Sequence, residues 1–195
     1  MRSWHEQVMT PRPFCSAVGR LLLAGVVSLA PGAHASAQTP PGSLRAPNVV
    51  EISPQLVTAG QPTVEALAEL RARGFGGVIY LVPPNAHDAI RDESVIVGRQ
   101  GLVFVNLPIR FDEPTARDYE TFATLVRSLQ DRKVLVHCQV NMRASTLVFL
   151  YRAIVLREEP GAAYDAVTRV WTPSGPWKAL MQEQLRRHKI DFDPF

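Results

Sequence analysis

KVLVHCQVNMRASTLVFLYRAIVLRE, residues 133–158, decides the fold. KVLVH is a short, continuous apolar run, the pattern of a strand buried on both faces. RASTLVFLYRAIVLRE, 143–158, is apolar nearly all round and too long for a strand. It reads as a central buried helix. A strand running into a buried helix is one step of an alternating β–α chain. The turn between them holds His137, Cys138 and Arg143.

The flanking sequence repeats the alternation. NVVEIS (48–53) and QLVTAG (55–60) are strand-like and are split by Ser53-Pro54. Thr63 can cap a helix over VEALAELRARG, with Val64, Leu67 and Leu70 at helical spacing and Gly74 as its stop. GVIYLV (77–82) and LVFVNLPI (102–109) read as buried strands, with a weakly helical piece, 86–100, between them. FDEPT, 111–115, is a loop. ARDYETFATLVRSLQD (116–131) places Tyr119, Phe122, Leu125, Val126 and Leu129 on one helical face. Two more helices are expected, one opened by Pro160 and one over 177–189. Trp171 and Trp177 read as core or helix-docking residues. The expected fold is a single α/β domain, with a mainly parallel sheet of about 4–5 strands and helices on both faces.

The N-terminal 37 residues differ in character. Arg2, Arg12 and Arg20 precede LLLAGVVSLA at 21–30, and AHASA follows at 33–37. That is the order of a secretory signal peptide, with cleavage after Ala35 or Ala37 fitting equally. The apolar run is too short for a membrane span, which needs about 20 residues. Residues 38–47 are Pro- and Gly-rich and read as a disordered linker; 48–195 form the expected domain. The chain would be exported, periplasmic or secreted, with no stable membrane insertion after cleavage.

Without 1–37, 18 Lys and Arg face 17 Asp and Glu, so the net charge falls from +3 to +1. Such a surface does not suit nucleic acid or a membrane. Cys15 leaves with the leader, and Cys138 is then the lone thiol. A buried core cysteine and a nucleophile are the two readings of such a residue.

Ligands of α/β folds bind where strands end and helices begin. Gln139, Val140, Asn141 and Met142 would there present backbone N–H groups at a helix N-terminus, which favours an anion. The same field and the Arg143 charge favour a thiolate at Cys138. Arg143 offers a planar fork that matches two phosphate oxygens. Together these suit attack on a phosphate ester through a phosphocysteine, with no metal and no cofactor.

VHC at 136–138, Arg143, Ser145, AGQPT at 59–63 and LPIRFDEPT at 107–115 resemble the cysteine-dependent, dual-specificity-like protein tyrosine phosphatase superfamily. The resemblance is to the small bacterial branch found beside beta-lactamase-like hydrolases, and it covers residues 48–172. It implies a phosphatase-like fold and a phosphorylated substrate, protein or small molecule. It also implies an Asp before the Cys as general acid; Asp112 fits, with Glu113 the adjacent candidate. Capping the helix near Thr115, or plain solvation, is the other role open to Asp112. Ser145 is the hydroxyl that would assist the thiolate, one place later than the superfamily has it. The loop is C-x4-R, shorter than the usual C-x5-R, and Asn141 stands where a glycine is usual. Asn tolerates the left-handed backbone best after glycine. A C-x4-R loop also occurs in rhodanese-like sulfurtransferases, and a non-catalytic phosphate-binding module is the third reading. His137 would point away from the sulfur and order the loop by hydrogen bonds, or be a core histidine. Gln61 would either lie near the site or only shape a turn.

Overall fold

The computed structural model describes residues 42–87 and 89–195. The expected signal peptide lies outside the described residues. Among the described residues the chain forms β1 (Val50–Ser53), β2 (Leu56–Ala59), α1 (Val64–Ala68), β3 (Phe75–Tyr80), α2 (Glu93–Gly98) and β4 (Val103–Asn106). It continues with α3 (Ala116–Ser128), β5 (Lys133–His137), α4 (Met142–Ile154), α5 (Pro160–Thr168) and α6 (Gly175–Arg187).

The sheet order is β1-β2-β5-β3-β4. β2, β5, β3 and β4 are parallel; β1 pairs antiparallel with β2 at one edge, so the sheet is mixed. Ser53-Pro54 thus marks the turn of a hairpin, not a pause in one strand. After β2 the chain skips a position to form β3, steps outward to β4, and returns to insert β5 in the centre. The C-terminal end of β5 therefore falls at the switch point of the sheet, where such folds bind ligands.

Strand alternation divides the core. Val134 and Val136 of β5, with Ile79 and Leu56, pack with Phe122 of α3, Leu147 and Val148 of α4, Ala163 of α5 and Trp177 of α6. Leu135, Val78 and Val57 pack with Ala66 and Leu67 of α1, with Leu70 in the turn that follows it, and with Val97 of α2. Successive side chains of a strand point to opposite faces, so helices cover both. α4 is buried on nearly every side, as its composition requires.

Two segments depart from expectation. The piece 86–100 is helical only over α2. Its earlier half, with Pro83 and Pro84 just before it, lacks a repeating apolar face. The linker is not loose where it is described: Leu44 is buried in the α1/α2 core. Arg45 O accepts from Thr63 N at 3.0 Å and Pro47 O from Gly60 N at 2.7 Å. Leu44, with Ala46 packed beside it, docks the stretch, and its carbonyls find donors between the end of β2 and the N-cap of α1.

Candidate functional site

β5 ends at His137, and Cys138 N donates to Ala59 O of β2 at 3.2 Å. The turn to α4 is set by Asn141, whose φ of 73° is left-handed. Its side chain is also used: Nδ2 donates to Asn48 O at 2.6 Å and to Thr58 Oγ1 at 3.0 Å. Glycine would give the same backbone, but not those two bonds. Asn48 Nδ2 donates back to Val140 O at 2.9 Å. From Met142 the backbone is helical, and the N–H groups of the first turn have no intrahelical acceptor. Free N–H groups of this kind are what an anion would meet at the start of α4.

AGQPT lies directly against the loop. Gln61 N donates to Gln139 O at 2.9 Å, and Gly60 and Val140 form a bridge. A Cβ on Gly60 would sit 2.8 Å from Gln139 O and 2.8 Å from Pro47 Cβ, so only glycine permits this approach.

Cys138 is fully buried. Arg143 is 6% exposed, and its guanidinium is already held. Nε donates to Ile109 O at 3.0 Å and Nη1 to Gln139 Oε1 at 3.3 Å, while the Phe111 ring lies 5.0 Å from Cζ. Of its five N–H donors, these contacts leave the rest for an anion. Gln139 thus meets the expected site with its side chain as well as its backbone. Met142 O accepts from Ser145 Oγ at 3.2 Å and from Thr146 Oγ1 at 2.9 Å. The Ser145 hydroxyl is therefore engaged within its own helical turn.

The 110–114 loop behaves differently. Asp112 is on the surface and accepts two bonds from Arg110, Nε at 3.2 Å and Nη2 at 2.7 Å. Arg110 Nη1 also lies 3.1 Å from Glu113. The Arg110 bonds, then a backbone bond and the charges of Arg110 and Arg143, hold the Asp112 carboxyl below its usual range. Asp112 is thereby held toward its carboxylate form, chiefly by Arg110. It does not cap α3. Thr115 does so, in a capping box with Asp118. The loop is tied down from beneath: Trp177 Nε1 donates to Phe111 O at 2.8 Å. The Phe111 ring sits 5.9 Å from Trp171 and 5.8 Å from Trp177. Trp177 is a core residue, as expected, and Trp171 packs against the same core; both also meet this loop.

His137 is fully buried on the opposite side of β5 from the α4 packing. Its Nε2 is 2.6 Å from Glu93 Oε1 of α2, its ring stacks on Tyr80 at 4.8 Å, and Glu93 Oε2 accepts from Gln61 Nε2 at 3.0 Å. Glu93 is the residue that sequence reasoning missed. It lies 44 positions before His137 in a weakly helical stretch. The one signal was an acid among the apolar residues of ESVIVG.

A strand–loop–helix carrying Cys and Arg at the switch point of a five-stranded sheet is the fold of the dual-specificity, tyrosine-phosphatase-like class. The chain belongs to the family described as DSP-PTPase phosphatase fused to NAD+ kinase, whose model matches residues 47–186. A beta-lactamase hydrolase-like protein of Xylella fastidiosa is 30% identical over 112 residues, covering 54% of this chain. The match spans only 25% of that relative's length. A DUF442 protein of Shewanella putrefaciens, described as a phosphatase, superposes with a TM-score of 0.67 at 28% identity, over 73% of this chain and 91% of its own. TpbA of P. aeruginosa shares the fold at a TM-score of 0.57 and 18% identity, over 74% and 86% of the two chains. The small bacterial branch expected from the loop is the right one.

Proposed function

We propose that this chain is an exported, metal-independent phosphoester hydrolase that works through a phosphocysteine. The observation that carries this is the loop itself. Asn141 turns the chain left-handed between Cys138, at the end of β5, and Arg143, in the first turn of α4, which supports a reading in which the sulfur, the first-turn N–H groups and the guanidinium share one anion. The phosphoryl group enters by taking over the Arg143 donor that Gln139 Oε1 holds. The Cys138 thiolate attacks phosphorus, the S–P bond forms and the P–O bond to the leaving group breaks. That oxygen takes a proton from the Asp112 carboxyl once Arg110 has moved aside. The Asp112 carboxylate then deprotonates a water, which cleaves the S–P bond and releases phosphate and thiolate. Ser145 assists the departing thiolate if its hydroxyl turns from Met142. Glu113 shares Arg110 with Asp112 and is the alternative donor. Structural neighbours support a phosphorylated substrate: TpbA has been solved with phosphotyrosine and PTPMT1 with PI(5)P. The basic leader, apolar run and AHASA site support export.

Hydrolysis of p-nitrophenyl phosphate by the full chain, in reducing buffer with a chelator, tests the chemistry. Turnover that Cys138→Ser abolishes supports it; none in the wild type overturns it. The Arg110 clamp on Asp112 favours a second reading, an anion-binding module without turnover, which predicts phosphate binding that Cys138→Ser leaves intact. N-terminal sequencing of the chain from periplasmic and culture fractions tests export; recovery only of uncleaved cytoplasmic chain overturns it.

A further inference from the structure

Glu93 and His137 take no part in the proposed chemistry, yet they are buried together beside the nucleophile, at 2% and 0% side-chain exposure. Burying a carboxylate with an imidazole costs desolvation that an apolar pair of similar size avoids. Fold stability alone is therefore a weak reason for the pair. Its position supplies a better one.

The contacts close a circuit around Cys138. Glu93 Oε1 meets His137 Nε2, one residue before the sulfur. Glu93 Oε2 accepts from Gln61 Nε2 at 3.0 Å. Gln61 N donates at 2.9 Å to Gln139 O, one residue after the sulfur. The chain His137–Cys138–Gln139 completes the ring. His137 O also accepts from Leu81 N at 3.0 Å, and Tyr80 stacks on its imidazole, so the near side of the ring is anchored to β3. α2 is otherwise remote in sequence from the loop. Glu93 is its tether.

We propose that Glu93 is a positioning residue. Through His137 on one side and Gln61 on the other, it fixes the backbone on both sides of Cys138 and so preorganises the sulfur and the loop N–H groups for the transition state. The kinetic consequence rests on the phosphatase reading; the geometric one does not. Misplacement by about 1 Å can cost on the order of 100-fold in rate.

The experiment uses the full chain with Glu93→Gln, Glu93→Ala, Gln61→Ala and His137→Gln, and the Glu93→Gln/His137→Gln double variant. Thermal melting identifies folded variants, and all kinetics are read below their melting points. kcat and KM are measured with p-nitrophenyl phosphate, and Kd with orthovanadate, which mimics the transition state. Glu93→Gln is isosteric and carries the test if Glu93→Ala does not fold. The expected result is a kcat lowered by on the order of tenfold, KM nearly unchanged, and vanadate affinity falling in step with kcat. The double variant should be no worse than the poorer single one, because both break the same circuit. kcat and vanadate affinity within about twofold of wild type, or losses that multiply independently in the double variant, overturn the proposal. A wild type that binds vanadate without turnover defeats the phosphatase reading; weakened vanadate binding by Glu93→Gln then still supports the circuit. A wild type that neither binds nor turns over defeats both.

Discussion

The two sides of the Cys138 loop are built on opposite terms. On the α2 side, Glu93, His137 and Gln61 hold the backbone through short contacts that are buried or partly buried. On the other side, Asp112, Arg110 and Glu113 are more than 60% exposed and make ion pairs in solvent. Buried contacts give precision, because water cannot substitute for a lost partner. Exposed ion pairs are individually weak and exchange readily. A nucleophile needs the first kind of support. A general acid of the proposed mechanism would need the second, since it would have to leave Arg110 to give up a proton and take one back.

The largest effects should come from the loop itself. Cys138→Ser removes the attacking atom and should abolish turnover of p-nitrophenyl phosphate. Arg143→Lys keeps the charge but loses the planar fork and the bond to Ile109 O. It should lower kcat by on the order of 100-fold, the scale for losing one oxyanion donor. A full rate in either variant would leave the buried side of the comparison without a catalytic purpose.

Asp112→Asn comes next and should cut kcat by about 100-fold, as expected for loss of a general acid. Arg110→Ala sharpens the point because its sign is set. Arg110 holds the Asp112 carboxyl low, chiefly by its hydrogen bonds. Without it, the carboxyl rises toward its usual range. A general acid works while protonated, so the limb of kcat that falls with rising pH should move to higher pH in Arg110→Ala. An unmoved limb there would exclude Asp112, and the same profile for a Glu113→Gln variant would show whether that residue is the acid instead.

Legibility followed sequence distance. Cys138, Asn141 and Arg143 lie within six residues, so a strand, a turn residue and a helix start were enough to place them. The left-handed turn at Asn141 was readable because few residue types tolerate it. Glu93 was not readable. It becomes a neighbour of His137 only because β5 inserts between β2 and β3, and nothing local in 93–98 reports strand order. The bonds of Asn141 to Asn48 and Thr58 are of the same kind, joining residues more than 80 positions apart. The hold of Trp177 on Phe111 spans 66 positions. Its burial was legible; its acceptor was not.

That hold gives a smaller prediction. Trp177→Phe keeps an aromatic ring against Phe111 and removes only the indole donor to Phe111 O. It should cost about 1 kcal/mol of stability by urea unfolding, the typical net worth of one hydrogen bond. kcat should fall more than stability implies if Trp177 positions the Asp112 loop, and not at all if that loop finds its place when substrate binds.

The smallest effect expected is the most discriminating for the buried side. Asn141→Gly permits the φ of 73° freely but loses the bonds to Asn48 O and Thr58 Oγ1. Asn141→Ala loses the same bonds and adds the strain of a Cβ in a left-handed backbone, about 1 kcal/mol. The difference between the two variants therefore isolates the backbone, and the loss common to both isolates the side chain. Phosphate Kd read beside urea stability separates the roles. If the left-handed turn is what aims the N–H groups, alanine should bind phosphate more weakly than glycine by roughly the factor that its extra strain implies. If alanine and glycine bind phosphate equally, the cradle is held by the bonds across to Asn48 and Thr58, and the unusual residue at 141 is retained for its amide.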